Sequence, residues 1–202
     1  MLEGFVYMDE ALPGIFWDAK YTTEDNFTGA AVDGYRINRV VGTHEMAEAL
    51  GKAKNLAAVR GFGLLLWDGY RPQRAVDRFL RWAASPEDGG TKGKHYPNID
   101  KADIVPLGYV ATKSGHSRGS AIDLTLCEAR SGHPADMGGD FDLMDVRSHH
   151  GAEGIAPEAA RNRQTLKEIM EACGFSAYVC EWWHYLLKDE PYPGRYFDFP
   201  VE

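Results

Sequence analysis

A short segment of alternating polarity, residues 120–126, constrains the fold of this chain more strongly than any other part of its sequence. Aliphatic side chains occupy every second position there, at Ile122, Leu124 and Leu126. The other face carries Asp123, a residue type that is depleted in strands and costly to bury without a partner. Because strand side chains point alternately to two faces, the pattern predicts a core strand whose carboxylate points away from one apolar layer.

Helices are predicted before and after this strand. Thr43 is a good N-cap residue, and Pro157 suits the first turn of a helix. The predicted helices run from Thr43 to Gly61, from Pro72 to Ser85 and from Pro157 to Gly174. A buried strand is predicted at residues 62–67, and residues 175–187 are expected to form two short strands or one bent strand. With helices mostly first and last and strands between them, the predicted fold class is α+β.

The composition indicates one globular domain in a reducing compartment. No linker or repeat divides residues 1–202, so we expect a single compact domain. Thirty acidic against 22 basic side chains give a net charge of −8, which excludes a broad basic surface for nucleic acid. The three cysteines lack paired spacing, which favours reduced thiols. The acidic start is unlike a secretory signal and no apolar run is long enough to span a membrane, so the expected location is the cytoplasm.

Two local patterns carry candidate catalytic chemistry. The first is SGHSRGSAID at residues 114–123, and the second is EWWH at residues 181–184. Catalytic zinc sites commonly use three nitrogen or oxygen ligands and leave one position to water, whose proton a nearby carboxylate accepts. His116, Asp123 and His184 are the candidate ligands, and Glu181 is the candidate base. Neither pattern contains a cysteine, which argues against a structural zinc site.

Other interpretations stay open from the residues alone. A single histidine in a polar loop is more often a surface residue than a ligand, and Asp123 has Arg118 nearby as an ordinary ion-pair partner. Glu181 and His184 are three residues apart, so they face opposite sides of a flat strand. Either the segment bulges between them or the two residues do not act together.

The two patterns resemble a known family. Ser114, His116, Gly119, Ala121 and Asp123 fill an SxHxxGxAxD pattern, and ExxH follows at residues 181–184; the combination is similar to the zinc D-Ala-D-Ala peptidases. Four further segments resemble the VanX-type D-alanyl-D-alanine dipeptidases in particular, and the likeness runs essentially from end to end. These segments are WDAKY at 17–21, NFTG at 26–29, WDGYRP at 67–72 and DEPYP at 189–193.

The resemblance implies a role for each matching residue. One Zn²⁺ per chain is implied, held by His116, Asp123 and His184, with Glu181 as general base. Arg71 is implied as the cation that polarises the scissile carbonyl and stabilises the oxyanion. The remaining implied substrate-site residues are Ser114, Tyr21, Asp68 and Asp142. Of these, Asp142 is implied to meet the substrate ammonium, and Asp68 is implied also to orient Arg71. The implied fold is a small α+β domain with a central antiparallel sheet and flanking helices.

The implied activity is hydrolysis of the free dipeptide D-Ala-D-Ala, which would deplete a peptidoglycan precursor and support glycopeptide resistance. The expected partner is this small substrate, without nucleic acid or membrane; the sequence leaves self-association into a homo-oligomer open. Within the same zinc family, a cell-wall carboxypeptidase or endopeptidase is the alternative, as is a nutritional role in scavenging D-Ala-D-Ala. A non-haem iron oxygenase usually has its first two ligands one residue apart, whereas six residues separate His116 from Asp123. A purely structural zinc site predicts a missing base or cation, yet Glu181 and Arg71 are both present.

Overall fold

The computed structural model describes residues 2–202, which are built around a central five-stranded sheet. The strands are β1 (Phe5–Tyr7), β2 (Phe16–Trp17), β3 (Val41–Thr43), β4 (Phe62–Asp68), β5 (Ala121–Glu128), β6 (Phe175–Tyr178) and β7 (Glu181–Leu187). The helices are α1 (Met8–Ala11), α2 (His44–Val59), α3 (Gln73–Ala83), α4 (Lys92–His95) and α5 (Pro157–Ala172). The predicted α+β class is confirmed, and the three long helices begin within one or two residues of their predicted starts.

The central sheet has the strand order β2-β4-β5-β7-β6. Its four longer strands are antiparallel neighbours, as predicted, while the short edge strand β2 runs parallel to β4. Strands β1 and β3 form a separate antiparallel pair. Helices α2 and α5 pack against the sheet and against each other. No helix within residues 2–202 has the length and apolar character needed to cross a membrane.

Strand β5 lies at the centre of the sheet and is buried along almost its whole length. The aliphatic residues Ile122, Leu124 and Leu126 are fully buried, as the alternation predicts. Asp123 is 2% exposed, so both faces of this strand are covered. A carboxylate at the centre of the sheet needs charged or hydrogen-bonding partners, and the surrounding loops supply them.

Two irregularities in strand pairing lie beside Asp123. Between β4 and β5, the pairing moves from Leu66 with Leu124 to Asp68 with Asp123, so that one residue of β4 has no partner. Between β6 and β7, Ala177 pairs with Tyr185 but Tyr178 pairs with Glu181. The bulge in β7 therefore falls within the EWWH segment. Bulges redirect side chains, which is why the flat-strand expectation for Glu181 and His184 does not apply here.

A tight turn joins the first motif to β5. Residues Gly115–Arg118 form a single 3-10 turn, and the side chain of Ser114 caps it by accepting a hydrogen bond from the His116 amide at 3.2 Å. Gly119 then adopts a φ of 75°, and its carbonyl accepts a hydrogen bond from the Thr43 amide. A Cβ at Gly119 would lie 2.3 Å from the Phe5 ring. Glycine is therefore required at this point of the motif for both its conformation and its size.

We predict that Gly119→Ala destabilises the protein more than Gly154→Ala does. Both glycines have a positive φ, but a Cβ at Gly154 meets no atom within 4 Å. The backbone penalty is common to both, whereas crowding against Phe5 adds about 1–3 kcal/mol at Gly119 alone. Urea unfolding of the two variants measures the difference. Equal losses of stability would show that Phe5 moves aside without cost.

Candidate active site

Two imidazoles and one carboxylate converge where the 3-10 turn meets β5 and β7. His116 Nε2 lies 3.1 Å from His184 Nδ1 and 3.3 Å from an Asp123 carboxylate oxygen. His184 Nδ1 lies 3.0 Å from the other Asp123 oxygen. The three residues form a group that can hold a metal ion. The structure thus brings together all three residues that the sequence predicts as ligands.

The hydrogen bonding of His116 fixes which of its nitrogens faces the cluster as an acceptor. Its Nδ1 lies 2.7 Å from the carbonyl oxygen of Gly69, and a carbonyl can only accept, so Nδ1 carries the proton. Nε2 is then the nitrogen that faces Asp123 and His184, and it is the atom available to bind a metal ion. A carbonyl that orients a ligand histidine in this way is typical of metal centres. Ligand atoms of two imidazoles and one carboxylate that converge on one point can bind a cation. This set of ligands is typical of a catalytic zinc ion.

Asp123 is held in its ionised form by its neighbours. Burial raises the pKa of this carboxyl, but His116 and His184 outweigh burial and hold the pKa below its ordinary range. The alternative pairing with Arg118 does not occur, because both Arg118 Nε and Nη2 donate to Glu190, at 2.6 and 3.0 Å. The Asp123 carboxylate instead faces the two imidazoles and Arg71.

Glu181 lies on the same side of the sheet as the ligand cluster. One of its carboxylate oxygens is 4.0 Å from His184 Nδ1, so the bulge in β7 brings these two residues to one site. Burial raises the pKa of Glu181 well above its ordinary value, and the nearby charges of Asp123 and Asp142 raise it further. A carboxylate in such surroundings has a high affinity for a proton, which is the property required of a general base.

Arg71 is fixed beside the cluster by two carboxylates. Its Nε donates to Asp68 at 2.8 Å, and its Nη2 lies 3.3 Å from Asp123. The other oxygen of Asp68 accepts a hydrogen bond from the Tyr35 hydroxyl at 2.7 Å. Asp68 lies behind the guanidinium and does not line the cavity described below, so its position fits the orienting role and not a direct contact with substrate. The centre of the guanidinium is also 5.1 Å from the ring of Tyr21.

Asp142 and Tyr21 form a second polar pair in the site. The Tyr21 hydroxyl donates to the Asp142 carboxylate at 2.9 Å, across 121 residues of sequence. Asp142 has a φ of 58°, which is uncommon for any residue but glycine. Burial, together with the charge of Asp123, raises the pKa of Asp142 to about 8. A cation beside this carboxylate would favour its ionised form.

These groups surround a cavity of about 240 Å³. Its polar lining includes all the predicted site residues except Asp68: Tyr21, Arg71, Ser114, His116, Asp123, Asp142, Glu181 and His184. Phe27, Phe79, Met144 and Trp183 provide apolar walls. The cavity is smaller than the 300–1,000 Å³ that is usual for drug-sized ligands. A larger groove of about 700 Å³ is lined by other residues, and the ligand cluster is not part of that groove.

Several residues that shape this site were not predicted from the sequence. Tyr35 and the carbonyl of Gly69 orient Asp68 and His116, and Phe79 forms part of the apolar wall. Gly69 lies within the WDGYRP segment, so that motif carried a signal for it. Phe79 appears in the sequence only as an inward-facing position of α3, and Tyr35 gives no local signal at all.

The chain is similar to known proteins over its whole length. A family described as D-Ala-D-Ala dipeptidase matches residues 1–202. A D-alanyl-D-alanine dipeptidase of Enterococcus faecium is 61% identical over 199 residues, covering 98% of each chain, and one of Streptomyces coelicolor is 59% identical over the full length of both chains. A solved structure of a D,D-pentapeptidase, VanY, in complex with Zn(II) is 17% identical over 76% of each chain, with a TM-score of 0.44.

We predict that His184→Ala loses the metal that the unchanged protein retains after dialysis. Removing one of three ligands leaves two donors, too few to hold zinc tightly. His133→Ala is the matched control, because His133 is exposed and lies outside the cluster. Elemental analysis should give about one zinc per chain for the control and close to none for His184→Ala. Full retention in His184→Ala would remove this residue from the ligand set.

Proposed function

The chain belongs to the D-Ala-D-Ala dipeptidase family, and we propose on this basis that it hydrolyses free D-alanyl-D-alanine with zinc as its cofactor. The observation that carries the proposal is one small cavity that holds the ligand cluster, the basic carboxylate of Glu181 and the Tyr21–Asp142 pair together. The relatives at about 60% identity over the full chain carry the name of this activity.

The position of Asp142 supports a cationic occupant besides the metal. Arg71 and Lys113 line the cavity together with the carboxylates of Asp123, Asp142 and Glu181. Arg71 contacts Asp68 and Asp123, whereas Asp142 has no basic side chain at ion-pair distance within residues 2–202. The α-ammonium of a free dipeptide would give the Asp142 carboxylate a positive partner.

Each protein group has a task in the proposed reaction. Zinc, when bound, supplies a Lewis acid that lowers the pKa of water to about 7. Glu181 accepts the proton of the attacking water and later delivers it to the leaving amine. Arg71, held by Asp68, donates to the oxyanion that develops from the scissile carbonyl. Asp142, with its hydrogen bond from Tyr21, holds the ammonium end of the substrate. Ser114 lines the cavity, and its hydroxyl is already engaged as the cap of the His116 turn.

A carboxypeptidase or endopeptidase that acts on longer peptides is the second candidate. Its substrate would continue beyond the first D-alanine, so the ammonium position would have to open into a groove. Here Asp142 and Tyr21 line the cavity, and both are buried and hydrogen-bonded to each other. A chain acylated at its amine would leave Asp142 buried without a positive partner, which is unfavourable. These contacts favour the dipeptidase.

The proposed cellular role follows from the substrate. Free D-Ala-D-Ala is made and used in the cytoplasm, and the reduced state of Cys127, Cys173 and Cys180 fits that compartment. Depleting the dipeptide would favour peptidoglycan precursors with other termini and so support glycopeptide resistance. Nutritional scavenging uses the same chemistry; deletion of the gene followed by a glycopeptide susceptibility assay separates the two roles.

We predict that Glu181→Gln keeps its zinc and loses hydrolysis. The amide has the size of the carboxyl group but cannot accept the proton of water, so the rate should fall by about 10²–10⁴. Glu153→Gln is the control, since Glu153 is exposed and outside the cavity. Metal content and turnover of D-Ala-D-Ala are measured on the same samples. A rate near that of the unchanged protein would assign the base to another group.

We predict that free D-Ala-D-Ala is cleaved while N-acetyl-D-Ala-D-Ala and a pentapeptide ending in D-Ala-D-Ala are not. An acylated amine leaves the Asp142 carboxylate unpaired, and such polar mismatches discriminate by up to ~10⁴. Asp142→Asn should reduce the ratio of kcat/KM for the free dipeptide to kcat/KM for the acylated substrates. Asp140→Asn should keep this ratio, because Asp140 is an exposed neighbour of Asp142. Comparable kcat/KM values for the three substrates in the unchanged protein would favour the carboxypeptidase instead.

A further inference from the structure

The segment that carries Asp142 is buried but has little regular structure. Residues 135–145 contain no helix or strand, yet residues 141–145 are all buried. Asp142 itself adopts a φ of 58°. A non-glycine residue keeps such a conformation only where its surroundings hold it. The groups that hold this segment therefore decide where the Asp142 carboxylate lies.

Arg163 of α5 contacts the backbone on both sides of Asp142, within this segment at Met137 and just beyond its end at Arg147 and His149. Its Nε donates to the carbonyl of Met137 at 2.5 Å, and its Nη1 donates to the carbonyls of Arg147 and His149 at 2.6 and 3.3 Å. One planar guanidinium thus joins two backbone points that are ten residues apart in sequence, with Asp142 midway between them. The Arg163 side chain therefore holds the backbone in a region where no strand or helix pairing does so.

The electrostatics of Arg163 show that these backbone contacts are its main partners. The residue is 3% exposed, and no carboxylate within residues 2–202 lies at ion-pair distance from it. Burial lowers the pKa of Arg163 to about 10, so the group stays charged at neutral pH. A buried charge is costly unless it is well hydrogen-bonded. The carbonyls of Met137 and Arg147 accept from Nε and Nη1, whereas Nη2 has no hydrogen-bond partner within residues 2–202. The guanidinium in turn holds the backbone at these two points.

We propose that Arg163 is a positioning residue for substrate recognition, which acts by holding the Asp142 segment at both ends. His95 supports the middle of the same segment, since its ring lies 3.1 Å from the Asp142 carbonyl and its own carbonyl accepts from the Met144 amide at 2.7 Å. Arg163 itself does not line the catalytic cavity. This inference rests on the proposed function, in which Asp142 binds the substrate ammonium.

The test is a double-mutant cycle between Arg163→Met and Asp142→Asn, with zinc content measured on every variant. Alone, Arg163→Met should raise the KM for D-Ala-D-Ala by roughly ten- to a hundredfold and leave kcat and zinc content nearly unchanged. In the Asp142→Asn background, Arg163→Met should raise the KM by less than about twofold further, because both substitutions remove the same interaction with the substrate. The proposal would be overturned if Arg163→Met raised the KM by the same factor in both backgrounds, or if it lowered only kcat.

Two further variants complete the design. Arg161→Met is the matched control, because Arg161 is exposed on the same helix and loses the same charge, and its kinetics should equal those of the unchanged protein. A KM in this control as high as that of Arg163→Met would overturn the proposal. Should Arg163→Met fail to fold, Arg163→Lys takes its place in the cycle, since an ammonium keeps the charge but cannot span both carbonyl positions.

Amide hydrogen exchange separates this proposal from the proposed function. In the intact protein, Arg163→Met should speed exchange at residues 137–149 and leave β4 and β5 unchanged. This measurement needs no substrate, so it still tests the contacts of Arg163 if the unchanged protein proves unable to cleave D-Ala-D-Ala. Unaltered exchange at residues 137–149 would overturn the positioning role.

Discussion

The structure depends on one buried carboxylate at the centre of its sheet. Asp123 lies on the central strand at 2% exposure, where an unpaired charge would oppose folding. His116, His184 and Arg71 all direct a nitrogen toward it. Each of these residues comes from a different part of the chain, so satisfying one carboxylate assembles the ligand cluster and the cationic side of the cavity together.

The two bulges beside Asp123 convert a regular sheet into a site. Without the shift in β4, Asp68 would not lie opposite Asp123, and Arg71 would lack its second carboxylate partner. Without the shift in β7, Glu181 and His184 would point to opposite faces. A flat sheet with the same sequence would keep its core but separate the base from the ligands. Irregular pairing at this position is a requirement of the chemistry.

Local patterns in the sequence predicted the long helices and the core strands and named His116, Asp123 and His184 as candidate ligands, whereas the antiparallel sheet was implied by the family resemblance. The alternation around Asp123 predicts a core strand, Thr43 marks a helix start through its side-chain cap, and Pro157 marks one through its fixed φ. The parallel pairing of β2 with β4 was not predicted, because a two-residue strand has no measurable period. The sequence also could not show whether a bulge brings Glu181 and His184 to one site or whether the two residues act separately. That outcome depends on how β6 pairs with β7.

Asp142 was predicted as a site residue from the family resemblance alone. The sequence around it has no pattern that predicts this role, and the cause is physical. Its position results from contacts that are distant in sequence, those with Tyr21, His95 and Arg163. No periodicity or spacing encodes such contacts. The metal ligands lie on strand and turn residues that local rules fix, whereas the proposed ammonium contact lies on an irregular segment. On the proposed assignment, catalytic chemistry and substrate selection are supported by different parts of the fold, so changes in residues 135–145 and in α5 are expected to alter selection while the metal cluster stays intact.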